Sequence, residues 1–132
     1  MGARYSYPEY LNAIHRVDQY LKIVWETVQS IPAYRGRTTI LLTADHGRGN
    51  GPSWVDHGEK IPESLELWLA AIGPDTEPLG ERKNTEEIGA NQIAATIAAL
   101  LGEDYVTAVP EAARPIKDLL PKSTATGARG AR

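Results

Sequence analysis

An aspartate and a histidine, Asp45 and His46, close an apolar run, Thr38-Thr39-Ile40-Leu41-Leu42-Thr43-Ala44, and a second histidine, His57, follows eleven residues after His46. Carboxylate oxygen and imidazole nitrogen together suit zinc, manganese or iron. A divalent ion needs several such donors within about 2–2.5 Å of one point. A buried strand that ends in this pair delivers it to the rim of a sheet. In open α/β sheets the rim at the carboxyl ends of the strands is where ligands bind. Along a strand, adjacent side chains point to opposite faces. Just beyond its end Gly47 permits a turn, so Asp45 and His46 can aim at one ion. The loop 47–58 holds four glycines (47, 49, 51 and 58) and Pro52, and can fold back to bring His57 beside the pair. The chain has no cysteine, which leaves any metal to Asp, Glu, His and backbone oxygen.

Each of these residues also has a plainer reading. Asp45 can be a turn-forming residue at a strand end, and His46 and His57 can be hydrogen-bonded loop histidines. Arg48 can bind a substrate oxyanion or be a solvated loop arginine. Trp54 can line a leaving-group pocket or anchor the loop by packing. Asp56 can orient the His57 imidazole or serve a turn. Lys60, Asp18 and Glu26 read as solvated charges. His15 lies on a helix away from other donors and reads as a surface or interface residue.

The elements that must position the site follow from hydrophobic periodicity. Tyr10, Ile14, Val17, Leu21, Val24 and Val28 recur at three- and four-residue steps, widened by Ala13, Tyr20 and Trp25. This predicts an amphipathic helix over 8–30, with Pro8 in its first turn and Pro32 and Gly36 ending it. The stretch 37–44 fits a strand buried on both faces, as in a parallel sheet. A second apolar run, 64–72, is read as another strand closed by Gly73-Pro74. A polar loop, 75–84, precedes a second helix beginning at Thr85, with Ile88, Ile93, Ile97, Leu100 and Leu101 on one side and Gly102 as its C′ cap. A short apolar segment with Ile116, Leu119 and Leu120 is expected to pack back. Residues 122–132, without a large apolar side chain, read as a disordered tail.

The order helix, strand, loop, strand, helix is α/β architecture. A parallel sheet covered on both faces needs more strands than two or three, so the chain reads as one end of a larger domain. Its 132 residues suit one domain, and 42% hydrophobic residues allow a packed core. With 14 basic and 17 acidic side chains the net charge is −3, which gives no support for a nucleic-acid surface. No stretch approaches the length of a membrane span. Residues 1–10 lack the apolar segment of a signal peptide, and the compartment stays open between cytosol and periplasm.

Thr43-Ala44-Asp45-His46-Gly47-Arg48-Gly49, then His57-Gly58, then Leu67-Trp68-Leu69 to Gly73-Pro74, resembles the C-terminal half of the alkaline phosphatase superfamily. That group includes phosphatases, nucleotide pyrophosphatases/phosphodiesterases, sulfatases and cofactor-independent phosphoglycerate mutases. The stretch 91–102 and the first helix, with Tyr10 and Asp18, are similar to helices those enzymes carry near the same motifs. The resemblance covers residues 5 to 120. It implies residues 1–121 as the C-terminal part of a metal-dependent hydrolase domain, a partial three-layer α/β sandwich. It also implies two divalent ions, zinc or else manganese, with Asp45 and His46 on one, His57 on the other, and a phosphate or sulfate ester as substrate. His-Gly at 57–58 favours the two-metal phosphatase or phosphodiesterase branch over the sulfatases.

The family's nucleophile and its Asp-x-x-x-His ligand pair precede the first helix seen here, and the chain has no Asp-x-x-x-His. Thr38, Thr39, Thr43 and Ser53 belong to the strand and loop, not to a nucleophile turn. The expectation is therefore a C-terminal fragment that contributes ligands without turnover of its own. The alternatives are a non-catalytic remnant, or a subunit whose truncated sheet a partner chain covers, or a plain α/β binding module in which the Asp-His pair is structural.

Overall fold

A computed structural model describes residues 6–121. The tail expected over 122–132 lies outside them. The described residues are mixed α/β and fall into two compact units, one running to Gly73 and the other starting at Pro74.

The first unit opens with helix α1, Tyr7–Ser30. Pro8 sits in its first turn, where no intrahelical N–H is needed, and Glu9 places negative charge at the positive end of the helix dipole. The helix stops because Pro32 drives the residue before it to extended backbone, and Ile31 lies at φ −89°, ψ 117°. Arg35 then caps the last turn, its Nε donating to the Gln29 carbonyl at 2.7 Å. The predicted stripe is only partly covered. Leu21, Trp25 and Val28 are half-buried, while Ile14, Val17 and Val24 are each about half exposed. His15 is exposed on this helix.

Strands β1 (Ile40–Thr43) and β2 (Leu69–Ile72) pair in register Ile40 to Ile72, Leu41 to Ala71, Leu42 to Ala70 and Thr43 to Leu69. The pairing is antiparallel, which corrects the expectation of a parallel sheet buried on both faces. The reason is the connection. Residues 44–68 hold two single-turn 3₁₀ helices, Gly51–Ser53 and Pro62–Leu65, and no crossover helix. Without a crossover the chain returns along its own strand. Both strands are shorter than expected, and β2 starts only at Leu69 because 64–68 forms the end of a 3₁₀ turn and an extended approach instead of a ladder. Ile40, Leu42, Ala70 and Ile72 share one face and, with Leu21 and Trp25 of α1, line a groove of about 290 Å³. Gly73 follows β2 because a side chain there would overlap Thr39.

The second unit is built on α2, Ile93–Leu100, entered through a 3₁₀ turn, Ala90–Gln92. The helix starts eight residues later than predicted, because the polar stretch and Gly89 precede a cap in which the Gln92 side-chain oxygen accepts the Gly89 N–H at 2.9 Å. It ends as predicted at Gly102 (φ +85°): the Gly102 and Glu103 N–H groups donate to the Ala99 and Ala98 carbonyls at 3.1 and 2.9 Å. The face it buries differs from the expected one. Ala95 and Thr96 are the buried residues of the helix, whereas Ile97 and Leu101 stay exposed. Ile116 packs back as expected and is 4% exposed. Thr96 ties it in, its hydroxyl donating to the Gln92 carbonyl at 2.7 Å and accepting the Ile116 N–H at 2.9 Å. Helix α3, Tyr105–Ala108, is capped by Asp104. No helix among the described residues is long and apolar enough to cross a membrane.

Candidate metal-ligand site

The backbone beyond β1 explains how Asp45 and His46 come to share a direction. Asp45 Oδ1 accepts the N–H of His46 at 3.0 Å. That is the turn role, and it leaves Oδ2 to lie 3.6 Å from His46 Nε2. The His46 Nδ1 is 2.8 Å from the Gly47 carbonyl oxygen. A carbonyl can only accept, so Nδ1 carries a proton, and in the neutral tautomer the lone pair lies at Nε2. In that tautomer the Asp45 carboxylate oxygen and the Nε2 lone-pair atom stand 3.6 Å apart, beyond hydrogen-bonding distance. A cation between them satisfies both.

The spacing fits one ion. Zinc bonds of about 2.0–2.2 Å at a tetrahedral angle place two donor atoms roughly 3.3–3.5 Å apart, close to the 3.6 Å observed. The backbone carbonyl that fixes the tautomer is the usual outer partner of a ligating histidine. Two donors are half a zinc shell. Among the described residues no group of three or more His, Cys, Asp or Glu side chains is placed to hold an ion.

His57 joins the pair without completing it. Its ring stacks on His46 with centroids 4.2 Å apart and planes 10° from parallel. Imidazole lone pairs lie in the ring plane, so two parallel stacked rings do not converge on one ion at short range. The three predicted residues thus meet, as a pair plus a neighbour. Asp45 and His57 are exposed and His46 is half-buried.

The loop that makes this possible is anchored at several points. Gly47 passes so close to the Pro62–Leu65 turn that a side chain would overlap the Glu63 and Glu66 carbonyl oxygens. The buried Gly49 donates its N–H to the Asp56 carbonyl at 3.1 Å and closes the neck of the loop. Trp54 packs edge-on to Tyr7 (5.5 Å between centroids) and against Tyr10 (5.7 Å), which places it as the loop anchor on α1. The Arg48 guanidinium carbon lies 5.5 Å from the Tyr10 ring centroid, and Nη1 donates to the Val55 carbonyl at 3.4 Å. Arg48 therefore holds the loop, and its remaining N–H groups are what an oxyanion would use. Asp56 contributes backbone bonds to the turn, its N–H donating to the Ser53 carbonyl at 2.8 Å. Lys60 is exposed.

One residue of this constellation escapes a reading of the sequence. Ser64, 7% exposed, accepts the Gly47 N–H on its carbonyl at 2.8 Å and the Gly58 N–H on its hydroxyl at 2.9 Å. A single serine at the head of an apolar run gives only one hint, the Pro62 before it that suits a short helical turn.

Comparison with family models, curated proteins and solved structures finds no match to this chain.

Proposed function

We propose that this chain carries the metal-ligand part of a phosphoric (or sulfuric) ester hydrolase site of the alkaline phosphatase superfamily, within the C-terminal part of a three-layer α/β domain. The observation that supports it most is the facing of Asp45 Oδ2 and His46 Nε2 across 3.6 Å, with the His57 ring stacked alongside. Asp45 and His46 hold one divalent ion, zinc or else manganese, and His57 belongs to a second. Such ions stabilise charge on the attacking and departing oxygens of an in-line displacement. The chain's own part is to present donors in a fixed tautomer and direction. The nucleophile and the remaining ligands come from another segment. In keeping with that, the hydroxyls of Thr38 and Thr43 donate to the backbone carbonyls of Tyr34 and Trp68 at 3.2 and 2.7 Å.

A second reading, a non-catalytic remnant or partner-dependent subunit with a vestigial site, is favoured by the apolar surface. Ile14, Val17, Ile23 and Val24 on α1 are all about half exposed, and the two-stranded sheet has an unpaired edge on each side among the described residues. Elemental analysis of the purified chain by inductively coupled plasma tests the shared premise. Bound zinc or manganese that is lost in Asp45→Asn supports it, and a chain that takes up neither ion ends both readings. Hydrolysis of a generic phosphodiester only when an N-terminal segment is supplied then selects the hydrolase reading.

A further inference from the structure

We infer that Ser64 is the positioning residue of the His46–His57 pair. Each histidine is followed by a glycine, and each of those glycines donates its backbone N–H to Ser64: Gly47 to the carbonyl at 2.8 Å, Gly58 to the hydroxyl at 2.9 Å. One residue outside the loop therefore receives the first N–H after both imidazoles. It is itself held rigidly. Its own N–H donates to the Ile61 carbonyl at 2.9 Å within the Pro62–Leu65 turn. Ser64 is 7% exposed, so its polar atoms are satisfied by protein and not by water.

The two anchors do different work. Gly47 abuts the turn through backbone alone, since no side chain fits between it and the Glu63 and Glu66 carbonyls. That fixes the His46 end whatever the side chain at 64. Gly58 stands in open space with φ +108°. Its N–H is held by the Ser64 hydroxyl, and its carbonyl accepts the Ile61 N–H at 2.9 Å. The bond between Gly49 and Asp56 closes the loop neck one residue short of His57, so the His57 end is set beyond the neck by the Ile61 N–H on the Gly58 carbonyl and by the Ser64 hydroxyl, which is the side-chain contact that holds the amide directly after His57. The consequence for metal affinity rests on the hydrolase reading above, whereas the positioning does not.

The test uses the metal-free chain and nuclear magnetic resonance. In the wild type, inter-ring Overhauser contacts connect His46 and His57, and the Gly47 and Gly58 amides are both protected from exchange. In Ser64→Ala, Gly47 keeps its protection, Gly58 loses it, and the inter-ring contacts vanish; Ser64→Thr, which keeps a hydroxyl, restores them. Inter-ring contacts that survive in Ser64→Ala overturn the inference. Should that variant not fold, an unprotected Gly58 amide in the wild type overturns it equally. Zinc titration is a separate arm. Ser64→Ala is expected to leave the Asp45–His46 event in place and to weaken the event that involves His57 by about 10–100-fold, the usual loss when the support of a ligand is removed. A wild type that shows the inter-ring contacts but binds no zinc leaves the role of Ser64 standing and removes the hydrolase reading.

Discussion

The imidazoles of His46 and His57 lie face to face, 4.2 Å between centroids and 10° from parallel, with Asp45 Oδ2 3.6 Å from the Nε2 of the first ring. On the proposed function this geometry divides the three donors between two ions: Asp45 and His46 would share one, and His57 would belong to the other. Titration of the chain with zinc, followed by calorimetry, is expected to show the stronger binding weakened at least tenfold, or about 1.4 kcal/mol, by Asp45→Asn and by His46→Ala. His57→Ala leaves that event in place. Equal losses in all three variants would mean a single shared ion and would refute the division.

Gly47 supplies the close approach on which the site depends. In Gly47→Ala the new methyl meets the carbonyl oxygens of Glu63 and Glu66, which are backbone atoms and cannot swing aside. Overpacking of this kind costs about 1–3 kcal/mol. Urea unfolding followed by tryptophan fluorescence reports on it directly, because all three tryptophans, Trp25, Trp54 and Trp68, lie in the first unit. A midpoint unchanged from wild type would show that the turn at 62–65 yields easily.

Arg48 has two readings in the sequence, an oxyanion contact or a solvated loop residue, and it lies over the ring of Tyr10. A double-mutant cycle on Arg48→Ala and Tyr10→Leu separates structural from substrate roles. A coupling of about 0.5–1 kcal/mol in unfolding free energy is the ordinary worth of an exposed cation–π contact. Zero coupling would assign the guanidinium to solvent or ligand.

Some of this is legible in the residues because the causes are local. Pro8 and Pro32 act on their own neighbours, so the bounds of α1 follow from the sequence to within a residue. Gly102 ends α2 for a similarly local reason. The glycines of 47–58 announce a loop able to fold back, and His57 does reach His46. What stays hidden depends on the route of the chain. Apolar runs do not state their pairing partner, and β1 and β2 run antiparallel because of a connection whose two 3₁₀ turns leave no periodic signal. Ser64 looks like any serine before a leucine until the two glycine N–H groups arrive from elsewhere along the chain. On α2 a polar residue, Thr96, is buried because its hydroxyl is bonded on both sides, while Ile97 and Leu101 of the expected apolar face stay exposed.

The cap of α3 carries a pH dependence. The Asp104 carboxylate is held below the ordinary carboxylate range first by the Thr107 hydroxyl, 2.6 Å away, and then by the Thr107 N–H at 3.0 Å. A carboxyl depressed in the folded state stabilises it above the unfolded value, and that contribution is lost as pH falls through the lower folded value. The Thr107 amide shift, followed from neutral pH downward, should therefore hold steady into the acid range and move only below the pH at which a free aspartate titrates. In Thr107→Ala the Asp104 titration should move upward toward the ordinary range. A carboxyl that titrates normally in the wild type would show that the cap does not persist in solution.

Thr96→Val tests the buried hydroxyl at the centre of the second unit. Valine keeps the shape, so the change isolates the polar interaction. It removes the donor to the Gln92 carbonyl, which retains its helical surroundings, and it strips the Ile116 N–H of its acceptor in a residue 4% exposed. A buried donor left unpaired costs about 1–3 kcal/mol, more than the net worth of the bond itself. The second unit has no tryptophan, so amide exchange is the proper readout. Protection of the Ile116 amide should fall by about 5- to 150-fold, which is that free energy expressed as an equilibrium constant. If instead the Thr96→Val chain leaves the Ile116 amide as slow to exchange as before, the segment is held by the burial of the Ile116 side chain, and the hydroxyl is incidental.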